Sequence, residues 1–184
     1  MNKIKLVGAV LAIVVVGFGQ QAMADDGGAQ VLARAPIRLA LQGYTIPSIP
    51  VTLSPGTMWA AGLHYYAYQG SLAHIELNGT YYRRINNKQR ASVFMHELLH
   101  YYSENEYLVE AVAVDEVVKW YRVRHDAVWY VYERGVQMVR WKSQKASGHP
   151  WQSPEAMEVR KQWLLTSIRP FQDKPIYGAS VKVR

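Results

Sequence analysis

One pentad, His96-Glu97-Leu98-Leu99-His100, limits the fold more than any other feature of this 184-residue chain, because it sets three ionisable side chains inside an apolar helical pattern. Val93, Phe94, Leu98 and Leu99 mark a helix from about Lys88 to Tyr102, and Asn86-Asn87 is a cap pair for its start. Ionisable groups on a half-buried face are costly unless something pairs with them. A second element must therefore fold against this helix and supply partners. Residues four apart on a helix lie one above the other, so His96 and His100 can aim ring nitrogens at one ion. Glu97, beside them, is placed to take a proton from a metal-bound water. The chain has no cysteine, which excludes thiolate zinc sites, iron–sulfur clusters, thiol nucleophiles and disulfide scaffolds. Any metal must be held by His, Asp or Glu.

After the polar break Ser103-Glu104-Asn105, a second helix is expected from Tyr107 to about Tyr121, with an unusually apolar interior. An open zinc site needs a third protein ligand, and the downstream candidates are Glu104, Glu106, Glu110, Asp115, Glu116 and His125. A hairpin of helices centred near Asn105 sets His100 opposite Glu110, at an interaxial separation of about 8–10 Å that the two side chains can bridge. On that geometry Glu104 and Glu106 lie too near the turn, and Glu116 lies about 9 Å too far along the helix. Glu110 is also the only charge between Leu108 and Val114, where an unpaired carboxylate is unfavourable. His125 is the alternative, if a turn near Arg124 brings it back. A donor to a developing oxyanion is expected from Tyr107, Tyr121 or His125. His64, His74 and His149 lack ligand spacing and read as ordinary surface or hydrogen-bonded histidines. The tyrosine pairs Tyr65-Tyr66, Tyr81-Tyr82 and Tyr101-Tyr102 could line a cleft, but read first as core and half-buried surface aromatics.

The pentad followed by a helical Glu110-Ala111 resembles the gluzincin branch of the zincin metallopeptidases, over Leu72 to about Tyr121. The resemblance implies zinc ligands His96, His100 and Glu110, with Glu97 as general base and proton shuttle, and a strand before the active-site helix that lines the substrate cleft. The step from His100 to Glu110 is shorter than in the large gluzincins. Val114 stands where many of them have an aspartate four residues after the glutamate.

The rest of the chain frames this site. Residues 1–24 have the pattern of a secretory signal peptide: Lys3 and Lys5, an apolar run from Leu6 to Phe18, then Ala22-Met23-Ala24. Cleavage there leaves residues 25–184 as one domain, periplasmic or secreted, with no later membrane span. Within it, residues 25–121 hold a strand layer and the metal-site helices, and 122–184 a basic helical part. Asp25 to about Arg34 reads as a flexible start; Ile37–Leu41 and Ile46–Leu53 read as short strands. Ser54-Pro55 reads as a cap for a helix through Met58, Trp59 and Leu63. Leu72 to Leu77 alternates as a strand, Asn78-Gly79 signals a hairpin, and Thr80 to Ile85 is its return. Helices are expected from about Asp126 to Trp141 and from Ser153-Pro154 to before Pro170, with a loop from Ser143 to Gln152. The fold class is α+β: a small antiparallel β-layer followed by helices.

Charge is uneven. Asp25–Tyr121 nets −2, whereas Arg122–Arg184 nets +7. The basic half suits an anionic cell-envelope component; nucleic acid is not expected of an exported chain without a binding motif. The leading expectation is an exported zinc metallopeptidase acting on a peptide or protein substrate. The alternative is a catalytically inactive zincin-like envelope binding module, its metal structural and closed by a fourth ligand such as His125 or Glu106.

Overall fold

The computed structural model describes residues 26–55, 58, 60–66, 73–128 and 133–167. The expected signal peptide lies outside the described residues, as do Trp59, Leu72 and Pro170. The architecture is α+β. In chain order the elements are α1 (Asp26–Leu41), β1 (Val51–Ser54), β2 (Gly62–Tyr65), β3 (His74–Asn78), α2 (Gly79–Arg84), α3 (Asn87–Leu99), α4 (Glu106–Tyr121), a single 3-10 turn (His125–Ala127), α5 (Glu133–Ser147) and α6 (Pro154–Leu165).

The sheet is mixed rather than antiparallel. Its order is β1-β3-β2, with β1 parallel to β3 and β2 antiparallel to it. In β3 the buried Ile75 and Leu77 alternate with half-buried His74 and Glu76, the period of a strand with one face on the core. Helix α3 lies against that face, with Phe94, Met95 and Leu99 buried, and packs between α1 and α4. Its start is fixed by a capping box: the Asn86 side chain accepts from the backbone N–H of Lys88 and Gln89, and Gln89 returns the bond to the Asn86 N–H.

Four expectations for the first half are corrected. Asp25–Arg34 is not a loose start, nor Ile37–Leu41 a strand, since both fall largely in α1, which runs through Pro36. The buried residues Val31, Leu32, Ala35 and Leu39 have helical spacing, and seating that stripe on α3 outweighs the ~3 kcal/mol that an internal proline costs. Among the described residues no helix follows Ser54-Pro55 before Leu63; β1 ends at Ser54 and Leu63 lies in β2. Asn78-Gly79 is not a hairpin turn. The Asn78 side chain caps α2 by accepting from the Tyr81 N–H, and its amide donates to the carbonyls of Met58 and Ala60. Gly79 serves close approach, since a Cβ there would sit 2.8 Å from the Ser54 carbonyl oxygen.

The C-terminal helices also differ in their limits. The expected helix from Asp126 to Trp141 begins as a 3-10 turn, and α5 continues through the expected loop as far as Ser147. The buried Ser143 hydroxyl donates to the Ala156 carbonyl, tying α5 to α6 where the sequence suggested a break. The Ser153 cap and Pro154 start of α6 are as expected. Among the described residues, no helix is long and apolar enough to cross a membrane.

Candidate metal centre

Helices α3 and α4 form a hairpin whose facing polar pairs are both centred on Ser103: His96 meets Glu110, and His100 meets Glu106. The sequence argument centred the turn near Asn105. Moving the centre by two residues moves every facing pair by four, one helical turn. That shift is why Glu106, set aside as too close to the turn, lies with both imidazoles. It is also why Glu110 faces His96 instead of His100.

The hydrogen bonds fix how the rings are used. His96 Nδ1 lies 2.8 Å from Glu110 Oε2, and His100 Nδ1 lies 3.0 Å from the carbonyl oxygen of Ser103. A carboxylate and a carbonyl only accept, so both Nδ1 atoms carry the proton. A ring that is neutral with its proton on Nδ1 presents an Nε2 lone pair. The two Nε2 atoms stand 3.0 Å apart, and Glu106 brings Oε2 to 3.1 Å from that of His96 and Oε1 to 3.5 Å from that of His100. Nitrogen and carboxylate oxygen atoms converging this closely need a cation among them, either a proton on His96 Nε2 or a metal ion that takes its place. Zinc–nitrogen bonds of about 2.0–2.1 Å fit two ligand atoms at such a spacing. His96, His100 and Glu106 are the group whose ligand atoms all lie within 4.8 Å of one another. Glu110 stays at the site but holds the far nitrogen of His96, the outer carboxylate of a carboxylate–histidine–metal arrangement.

The same crowding sets the protonation of the cluster without metal. Burial disfavours the His96 imidazolium, but hydrogen bonds from Glu106 and Glu110 and the charge of Glu97 outweigh it and raise its pKa well above the ordinary histidine value. Glu106 is held well below the usual carboxylate range despite burial, because both histidines bond it. Among the described residues no lysine or arginine pairs with Glu97, Glu106 or Glu110.

Glu97 is buried, and that burial raises its pKa, against the lowering influence of His96 and His100. Its carboxyl rests on the backbone of β2: a Cβ on Gly62 would meet Glu97 Cγ and Oε1 at 2.8 Å. Gly62 is thus a position at the candidate site that no sequence signal marked. The same strand delivers His64, and Tyr66 follows directly after its last residue. His64 Nδ1 bonds the Glu97 carbonyl oxygen at 2.6 Å, and its ring lies 6.4 Å from that of His100. Desolvation lowers the His64 pKa to about 4, the bond to Glu97 opposing and the nearby His100 assisting. Tyr66 donates weakly to the His100 carbonyl at 3.5 Å. Burial, then Glu104, Glu106 and Glu97, raise its phenol pKa, so it keeps its proton.

The expected oxyanion donors are elsewhere. His125 bonds Asp115 at 2.7 Å, the Tyr121 hydroxyl reaches toward the Asn87 carbonyl, and the Tyr107 ring lies against Gly135. Neither His64 nor Tyr66 could be found by motif spacing, because β2 and the residue after it bring them to partners more than thirty residues away, Glu97 and His100. Compared with known proteins, the chain matches no family model, no curated protein and no solved structure.

Proposed function

We propose that this chain is a zinc-dependent hydrolase of peptide bonds, with His96, His100 and Glu106 holding the metal. The observation that carries the reading is the pair of Nε2 atoms 3.0 Å apart with their Nδ1 atoms already committed to acceptors. A bound zinc would supply Lewis acidity, lowering the pKa of a coordinated water to ~7 and polarising the scissile carbonyl. Glu97, kept close by Gly62 and bonded by no described side chain, takes the proton of the attacking water and returns it to the leaving amine. Glu110 and the Ser103 carbonyl hold the imidazoles in the tautomer that exposes Nε2. Tyr66 keeps its phenolic proton and offers it to the oxygen that develops negative charge.

A peptide is favoured as substrate by the sheet. β2 lies at the end of the order β1-β3-β2, so an extended chain can pair along its outer edge, next to Glu97. The inactive binding module with a closed structural metal is less well supported. His125 is committed to Asp115, and the Glu106 side chain is 53% exposed, which leaves the cluster open to solvent on that side. The test is metal content and hydrolysis on the purified chain. The expected result is one zinc per chain, lost in His96→Ala and His100→Ala, and a Glu97→Gln form that keeps zinc but no longer cleaves peptides. A chain that takes up no stoichiometric metal, or a Glu97→Gln form of full activity, overturns the proposal.

A further inference from the structure

Helix α5 carries its two largest apolar side chains on the wrong side for a core. Val136 and Ser143 are buried against α4 and α6, and Val139 is partly buried. Met138, Trp141 and Lys145, at spacings of three and four, share the opposite stripe. Met138 is 58% and Trp141 60% exposed. Lys142 and Lys145 are exposed beside them, and Lys145 Nζ lies 5.2 Å from the centre of the Trp141 ring. The helix has one acid, Glu133, against Arg134, Arg140, Lys142 and Lys145, within a C-terminal region of net +7.

From this face we infer that α5 docks on an anionic lipid surface, with Trp141 and Met138 entering the headgroup boundary and Lys142 and Lys145 meeting lipid phosphates. Charge and apolarity together choose the occupant. A helix with a tryptophan and a long apolar side chain flanked by lysines matches a surface that is negative outside and apolar beneath. Tryptophan favours that boundary because its ring is apolar with one polar edge. A soluble acidic polymer would use the lysines but leave Trp141 and Met138 in water. A second copy of the chain would set the same basic stripe against itself across a two-fold interface. None of Met138, Trp141, Lys142 and Lys145 belongs to the His96, His100 and Glu106 group, so zinc content and hydrolysis are read separately from vesicle binding.

The test is sedimentation of the full chain with vesicles of phosphatidylglycerol and phosphatidylcholine, beside vesicles of phosphatidylcholine alone. The apolar run at Leu6–Phe18 is shared by every variant, so the comparison is between the chain and its α5 substitutions. Binding is expected only with phosphatidylglycerol, to fall with added salt, and to drop about fivefold for each of Lys142→Gln and Lys145→Gln. Tryptophan emission should shift to the blue on these vesicles in the parent and not in Trp141→Phe. All three substituted positions are exposed, so circular dichroism should match the parent. Binding that ignores phosphatidylglycerol, variants that bind like the parent, or capture by soluble polyphosphate that is insensitive to Trp141→Ser would each overturn the proposal.

Discussion

Helix α4 carries two buried polar clusters about two turns apart, and they are built on opposite rules. At its C-terminal half Asp115 receives Arg160 Nε at 2.6 Å and Nη2 at 2.7 Å, and His125 Nε2 at 2.7 Å. Arg160, fully buried, also donates to the Ser143 hydroxyl and the Trp151 carbonyl and lies over the Trp151 ring. Donors and acceptors match there, charge is balanced, and nothing further is called for. At the N-terminal half two imidazole lone pairs and the carboxylates of Glu97, Glu106 and Glu110 converge, and none of those carboxylates has a lysine or arginine partner among the described residues. Buried polar residues alone do not mark a site. An excess of acceptors over donors marks a candidate, because it is balanced only by a proton on His96 or by a metal ion in its place.

The largest effect should come from unbalancing the closed cluster. Arg160→Ala leaves Asp115 buried without its cation and is expected to cost about 3–5 kcal/mol in urea unfolding, while Asp115→Leu combined with Arg160→Met should cost far less. A small loss in the single variant would mean that the C-terminal helices do not depend on this network. Next in size is Tyr66→Phe, expected to lower kcat about 10²–10³-fold with zinc content unchanged. If its kcat equals that of the parent, another group stabilises the oxyanion.

The open cluster should respond through its ligand. Glu106→Gln removes a proposed ligand and should abolish tight zinc binding, whereas Glu110→Gln, behind His96, should weaken it about 10–100-fold. Competition with a zinc dye separates the two, and a larger loss in Glu110→Gln would reverse their roles. The smallest effect concerns pH. With its pKa lowered from 6.5 to about 4, folded His64 binds fewer protons than unfolded His64 between those values. Stability should therefore be undiminished above 6.5 and fall as pH drops toward 4, by on the order of 1–2 kcal/mol after allowance for partial exposure. His64→Asn should flatten that part of the stability–pH profile; an unchanged slope would assign the loss to other groups.

The His96–His100 pentad, its helix and the helix after it were legible because their signals are local. Asn86 caps two residues away, His96 and His100 share a face by helical period alone, and β3 shows its alternation within six residues. Asn78-Gly79 and Ile37–Leu41 misled for the converse reason. Each has a local preference, for a turn and for a short strand, that was overruled by contacts with distant residues: Met58 and Ser54 for the first, and for the second the buried stripe of α1.

Sequence by itself thus determined that two histidines and a glutamate lie together on one buried helical face, and that a second helix must come back across them. Only the tertiary structure decided which carboxylate meets them. The turn around Ser103 sets the register of two helices, and an error of two residues there trades Glu106 for Glu110. Tertiary structure likewise brought Gly62 and His64 of β2, and Tyr66 just after it, to the site, since proximity across a fold leaves no periodic trace in the chain.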